Sequence, residues 1–281
     1  MPPKEHFVPK HLKLENSFSR SDALYNFDGL NISKHHGSYE SDWHLHSFYE
    51  IELILCGEAE FTVDNHTLHL KMGGCVLFLP GSTEKLRLYD KSEILTLRFR
   101  EDIVSSTLMN TLYNKSFISA ELSDKLTKTI PEVISETLGS GCNKELLKPA
   151  MKGIAQYITA LIIGTAAADC GNKTGEQVID PIILKAIMHI RLNIAHEITL
   201  KSLAKRYGYT PNYFSTIFKK ETGKSFSDYL KYERLRLSDI LLKTSDLSVS
   251  EIAKQVGFST TAYFCRVYKN KFGITPGQKR L

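Results

Sequence analysis

At 281 residues, 42% hydrophobic and 24% charged, the chain has the composition of an ordinary globular protein and is long enough for two separate cores. Its net charge of +5 is unevenly spread: residues 1–174 carry 18 Lys and Arg against 22 Asp and Glu, and residues 175–281 carry 18 against 9. The first part is thus −4 and the second +9, so a polyanionic partner is expected only for the second.

The N-terminal stretch MPPKEHFVPKHLKLENSFSR is charged and lacks the apolar core of a signal peptide. From about Asp22 to Arg100 the pattern is one of short strands, among them IELILC, AEFTV, HTLHL, CVLFL and ILTLRF. Gly57-Glu58, Asp64-Asn65, Gly73-Gly74 and Pro80-Gly81 punctuate them, and Leu68, Leu70 and Met72 alternate with Thr67, His69 and Lys71 as in a half-buried strand. Many closely spaced strands predict a sandwich or barrel. Within them, WHLHSFYEIELILCG places His44 and His46 on one face of a strand, with Glu50 four residues on. That face can be a metal centre or the lining of a pocket.

After Arg100 the period becomes helical. Leu147, Ile154, Leu161 and Ala168 recur every seventh residue, with Met151, Ile158 and Thr165 between them. The stripe fits either core packing within the domain or a seam between two protomers. The apolar run from Ile154 to Ala168 is interrupted by Gln156 and falls short of the ~20 residues of a membrane span, so no membrane partner is expected. DCGNKTGEQ, residues 169–177, reads as a linker. The five cysteines, Cys56, Cys75, Cys142, Cys170 and Cys265, form no CxxC pair, which argues against a disulfide framework or thiolate zinc site and for a reducing cytoplasm.

The basic part contains an internal repeat. In TLKSLAKRYGYTPNYFSTIFKKETG, residues 199–223, Leu200, Leu203, Ala204 and Tyr207 make one helical face and Gly208 breaks the helix. Thr210 caps the next helix with Pro211 at its first position, and Phe214, Ile217 and Phe218 form the buried side. In SVSEIAKQVGFSTTAYFCRVYKNKFG, residues 248–273, Val249, Ile252, Ala253 and Val256 repeat the first face, Ser248 and Glu251 have capping-box spacing, Gly257 is the break and Ser259 the expected cap. Two matched helix-turn-helix units on a basic background suit DNA, because a protruding helix enters the major groove while lysines meet phosphates.

The segments LAKRYGYTPNYFSTIFKKETGKSFSDYL, RLRLSDILLKTSDLSVSEIA and VGFSTTAYFCRVYKNKFGITP resemble the C-terminal domain of the AraC/XylS family of bacterial transcription regulators. The resemblance covers residues ~180–281. It implies a long connecting helix around Asp228–Lys243 that holds two recognition helices on one DNA face. Base contacts then fall to Asn212, Ser215 and Thr216 on the first and to Thr261, Ala262 and Arg266 on the second. Thr210, Tyr213, Lys219, Lys220, Ser259 and Lys269 complete the expected DNA-binding set, mainly through phosphates, with partial core packing as the alternative for Tyr213 and Ala262. The family usually has a Tyr-Arg pair after the last Thr-Pro. Here Gly277-Gln278-Lys279-Arg280 follows, which puts the packing of the last helix in question.

The spacing His44-x-His46-x3-Glu50-x6-Gly57 resembles the first cupin motif, and GCVLFLPGSTE, residues 74–84, resembles the second, with Glu84 where metal-bearing cupins have their last histidine. Regulators of the AraC kind carry such a barrel as an effector sensor. The expected effector-binding residues are Trp43, His44, His46, Glu50, Glu84 and Arg98, a mix of aromatic and hydrogen-bonding groups that suits a sugar. No metal, cofactor or catalytic residue is assigned.

The expected fold is a two-domain α+β protein. An N-terminal cupin-like β-barrel (jelly roll, 1–105) is followed by a helical dimerisation segment (106–168), a linker (169–179) and an all-α tandem helix-turn-helix domain (180–281). The expected function is that of a ligand-responsive, homodimeric DNA-binding regulator, an activator of carbohydrate-utilisation genes that works with RNA polymerase in the cytoplasm. The alternative is a metal-dependent cupin enzyme fused to a DNA-binding domain.

Overall fold

The structure, a computed structural model, describes residues 13–15, 23–27, 29–46, 48–63, 66–100, 103, 116–141, 143–169 and 180–280. Two compact units divide it, Leu14–Val178 and Ile179–Leu281, with Lys13 grouped with the second. The first is built on strands β1 (Lys13–Glu15), β2 (Ala23–Phe27), β3 (Leu30–His36), β4 (Tyr39–Glu40), β5 (His44–His46) and β6 (Tyr49–Cys56). There follow β7 (Glu58–Val63), β8 (His66–Lys71), β9 (Gly74–Phe78), β10 (Thr83–Leu88), β11 (Glu93–Phe99) and β12 (Phe117–Glu121).

One sheet runs β1-β5-β10-β7-β8 with β4 added to β10, and the other runs β12-β9-β6-β11-β3-β2. Both contribute side chains to a shared interior. Ile54, Val76, Phe78 and Ile94 of one sheet cluster with Ala59, Phe61, Val63 and Leu88 of the other, and Leu68 and Leu70 of β8 lean against them. The tight β6–β7 connection requires glycine. Gly57 has φ +72°, and a Cβ there would lie 2.3 Å from Ser92 Oγ. Ser92 uses that closeness to donate to Glu58 O at 2.8 Å and to accept from Glu58 N at 2.9 Å.

The sequence-based end of the barrel at residue 105 needs correction. Strand β12 pairs antiparallel with β9 and extends the second sheet, because Ile118 and Ala120 are buried on the alternating pattern of a strand. Helices α1 (Asp124–Gly139) and α2 (Lys144–Asp169) then pack on this sheet, α1 against β6 and α2 against β9 and β12. Ser123 caps α1, which buries Thr127, Ile130 and Ile134. In α2 the buried side is Met151, Ala155, Ile158 and Ile162, while Leu147, Ile154 and Leu161 of the heptad stripe are half-buried beside it. Gln156, the interruption in the apolar run, donates through Nε2 to Ile103 O at 2.7 Å. Residues 170–179, which include most of the expected linker, lie outside the described residues.

The second unit comprises α3 (Pro181–Leu192), α4 (Leu200–Arg206), α5 (Pro211–Thr222), α6 (Phe226–Thr244), α7 (Val249–Gln255), α8 (Thr261–Phe272) and α9 (Pro276–Arg280). The long helix α6 is its spine. Glu233, fully buried on α6, accepts from Arg191 Nε of α3 at 3.2 Å and from Arg236 Nε at 2.9 Å. Burial alone would raise its pKa, but the two guanidiniums hold it down at about 2. Asp239, also on α6, accepts from Tyr268 Oη of α8 at 2.6 Å and pairs with Lys243 at 2.9 Å.

Candidate ligand cavity and nucleic-acid interface

The register of the second sheet decides which side chains face the interior. Arg98 of β11 stands opposite Glu50 of β6 and Asn31 of β3; two residues along, Thr96 stands opposite Glu52 and Ser33. These rows point inward, whereas Ile51, Leu53, Leu95 and Leu97 between them are buried on the other face. Across the interior, Glu84 of β10 is the direct partner of His44 on β5. The groups converge on a cavity of about 690 Å³. Its polar part is His44, Glu50, Glu52, Glu84, Thr96 and Arg98; Phe61, Leu86, Leu88 and Ile94 make an apolar wall, and Lys34, His35, His36 and Tyr39 also line it.

Inside the cavity Arg98 donates through Nε and Nη2 to Glu50 Oε1 at 2.9 and 2.6 Å, and Thr96 Oγ1 donates to Glu52 Oε2 at 2.7 Å. Burial drives the Glu52 carboxyl well above its ordinary range, helped by the charge of Glu50 and a hydrogen bond with it, against Arg98 and Thr96. These surroundings favour the protonated form of Glu52. The His44 ring places Nδ1 2.9 Å from Asp42 O and Nε2 3.2 Å from Glu84 Oε1. Burial disfavours its charge, yet Glu84 and Glu50 together raise its pKa to about 9.

Ligand atoms of His44, Glu50 and Glu84 lie within 4.8 Å of one another, a nitrogen and two carboxylates that could hold Zn, Fe or Mn. One of those carboxylates already serves the Arg98 guanidinium. Of the six residues the sequence assigns to effector binding, His44, Glu50, Glu84 and Arg98 meet in the cavity. Trp43 is half-buried and is not among the residues lining it. The side chain of His46 lies outside the described residues. Glu52 and Thr96 escaped the sequence reading, although strand alternation from Glu50 and Arg98 puts both on the same face.

In the second unit the helix-turn-helix boundaries follow local chemistry. Thr199 and Ser202 close a capping box on α4, and Thr210 caps α5 with Pro211 at the first position. Ser248 and Glu251 form the expected capping box on α7. The cap of α8 is Thr260, not Ser259: the Thr260 hydroxyl accepts from Tyr263 N at 3.2 Å, one residue later because α8 begins at Thr261. The turn at Gly257 has φ +87°, and a Cβ there would approach Ile194 O to 2.7 Å and Arg234 Nη2 to 2.8 Å. Arg234 fills this spot by donating to Ile194 O and His196 O, both at 3.1 Å. The last helix does pack despite the departure at residues 277–280. Pro276 is buried, Gln278 Oε1 accepts from Thr275 N at 3.0 Å, and Lys279 reaches within 3.9 Å of Asp239.

With Phe214, Phe218, Phe264 and Tyr268 buried, α5 and α8 present their other faces outward. Thr210, Asn212, Tyr213, Thr216, Lys219 and Lys220 are exposed, with Ser215 half-exposed. On and just before α8, Ser259, Ala262, Arg266 and Lys269 are exposed and Thr261 half-exposed. Tyr213 is 54% exposed and leans on Tyr209, so neither it nor Ala262 is a core residue. Arg266 lies over the Tyr263 ring at 5.4 Å, which aims the guanidinium along the open face of α8.

Comparison with known proteins matches both units. Residues 28–137 fit the family model of an AraC-like ligand binding domain, and residues 203–281 fit that of a helix-turn-helix domain. The uncharacterized HTH-type transcriptional regulator YfiF of Bacillus subtilis is 25% identical over 85% of this chain and 78% of its own. The Msm operon regulatory protein of Streptococcus mutans is 25% identical over 96% of this chain and 97% of its own. The C-terminal domain of AraT, a response regulator from Geobacillus stearothermophilus, is 33% identical over 36% of this chain and 85% of its own, with a TM-score of 0.35.

Proposed function

This chain belongs to the AraC family of ligand-responsive, DNA-binding transcription regulators, and from that premise we propose that it is a one-component, cytoplasmic activator of carbohydrate-utilisation genes. The observation that carries the reading is the pairing of a barrel cavity of mixed polar and apolar walls with two outward-facing recognition helices in one chain. The effector is a sugar, held in the cavity by His44, Glu50, Glu84 and Arg98 with Phe61 against an apolar ring face. The protein has no catalytic role and needs no metal. Its output is a change in how two DNA-binding domains meet the operator and RNA polymerase.

Two copies join through α2. The half-buried stripe Leu147, Ile154 and Leu161 adjoins exposed Leu146 and Tyr157, which leaves an apolar strip for a second protomer. On DNA, Asn212, Ser215 and Thr216 and then Thr261, Ala262 and Arg266 read base edges, while Thr210, Tyr213, Lys219, Lys220, Ser259 and Lys269 meet phosphates.

The test compares Arg266→Ala and Lys220→Ala in the full chain on operator and random DNA across a salt series. Arg266→Ala is expected to cost about 1–3 kcal/mol on the operator and to relax preference at one base position, whereas Lys220→Ala weakens all sequences alike and flattens the salt slope. A uniform loss for both variants moves Arg266 to the phosphate contacts. Binding that ignores salt contradicts the whole interface.

A further inference from the structure

A groove of about 840 Å³ lies within the helical unit, between its two helix-turn-helix repeats. From the first repeat it is lined by Thr199 and the start of α4, and from the second by the turn that carries Gly257 and Ser259; α6 supplies the remainder. Tyr263 of α8 also lines it, and the Arg266 guanidinium lies over that same ring at 5.4 Å. The groove therefore opens beside the outward face of α8.

Three cations line it, Lys231, Arg234 and Lys254, against one carboxylate, the exposed Glu197. Lys231 is paired at 3.0 Å with Asp228, which leaves two cations for that carboxylate. Lys254 is exposed and meets no carboxylate among the described residues. Arg234 is half-buried, and its Nε and Nη2 are spent on the carbonyls of Ile194 and His196, with no acidic partner among the described residues. Burial lowers its pKa with nothing to offset it, whereas Glu233 holds up that of Arg191. The two carbonyls fix the direction of the guanidinium without neutralising it, and Nη1 keeps its donors. A positive charge held rigidly at a crevice, with a free lysine and the hydroxyls of Ser227 and Ser259 around it, is a receptor for an anion.

We propose that this groove is a third DNA contact, in which Arg234 and Lys254 hold backbone phosphates of the stretch that runs between the two major-groove segments read by α5 and α8. The proposal rests on the assignment of those helices as the reading pair. Two such helices sit about 10 base pairs apart, centre to centre, so the backbone between them crosses the seam where the groove opens. Phosphate contacts carry no base information; this one adds affinity and sets the two repeats in register along the duplex.

Phosphate-ethylation interference and a salt series test this on the full chain, with an operator selected from a random DNA pool. The wild type is expected to show interference at a central cluster of phosphates, about 5 base pairs from each of two outer clusters. Lys254→Ala should erase the central cluster and spare the outer ones. It should weaken operator and random DNA alike, roughly 3–10-fold, and lower the salt slope by about one phosphate. Arg234→Gln should do the same; if that variant does not fold, Lys254→Ala and the wild-type pattern decide. Two outer clusters alone, or Lys254→Ala with unchanged affinity and slope, overturn the groove and leave the reading helices standing. Failure to bind any DNA overturns the reading helices themselves. A melting-temperature rise with inorganic phosphate or pyrophosphate that Lys254→Ala removes, while DNA affinity stays the same, assigns the groove to a free anion and overturns the DNA contact.

Discussion

Each unit buries glutamates, and the two do opposite things with them. In the helical unit Glu233 is met by two guanidiniums, Arg191 and Arg236, and stays ionised in a dry interior. In the barrel Glu50, Glu52 and Glu84 line a cavity with Arg98 and His44, where burial pushes the Glu52 carboxyl up and, against burial, Glu84 and Glu50 raise the His44 imidazole to about 9. Matched charge fastens α3 to α6 and is architecture. In the barrel the ionisable groups instead line a cavity and have shifted titration, which is what a binding site presents.

The largest effect expected from breaking this contrast is at the matched site. Glu233→Ala strands two buried guanidiniums and should cost about 3–5 kcal/mol, read as a fall in the melting temperature of the helical unit. The next sharpens the contrast with pH. His44, raised from 6.5 to about 9, adds stability that is complete below about pH 6.5 and lost as pH rises through about 9, up to about 3 kcal/mol in all. Glu233, lowered from 4.5 to about 2, adds stability that is present above about pH 4.5 and lost as pH falls through about 2. Hydrogen exchange of the full chain, followed by peptide, should therefore show the barrel loosening in alkali and the helical unit in acid; a barrel whose protection is flat from pH 6 to 9 contradicts the assignment of His44. The smallest effect is at Glu52. Since burial favours its protonated form, Glu52→Gln should change barrel stability by less than about 1 kcal/mol, and a loss of several would contradict that preference.

The helical unit was the more legible in sequence. Gly208 and Gly257, the caps at Thr210 and Ser248, and the spacing of Phe214 and Phe218 are local signals, and the helices followed them to within a residue or two. Helix α3, which carries Arg191, was not foreseen, because its value to the fold comes from Glu233, 42 residues away. In the barrel, the glycine-punctuated strands β6 to β9 and β11 were readable. Strands β3, β10 and β12 were not; in β3 four successive buried residues, Leu30 to Ser33, hide the alternation that marks a strand. The cavity was half legible. The cupin-like spacing pointed to His44, Glu50 and Glu84, and alternation along β6 and β11 adds Glu52 and Thr96, while Asn31 owes its place opposite Arg98 to the register of β3 and β11, which no single strand encodes.

That register has a consequence for how such a protein changes over time. Along β6 and β11 every second residue looks into the cavity and every other one lies buried on the opposite face of the sheet, where α1 and α2 are seated. The two strands therefore spell two interleaved messages. Substitutions at Glu50, Glu52, Thr96 and Arg98 can retune what is sensed, while Ile51, Leu53, Leu95 and Leu97 keep the buried packing of the opposite face. A lineage can thus drift from one inducer to another by editing even-numbered positions alone, without relearning how to fold.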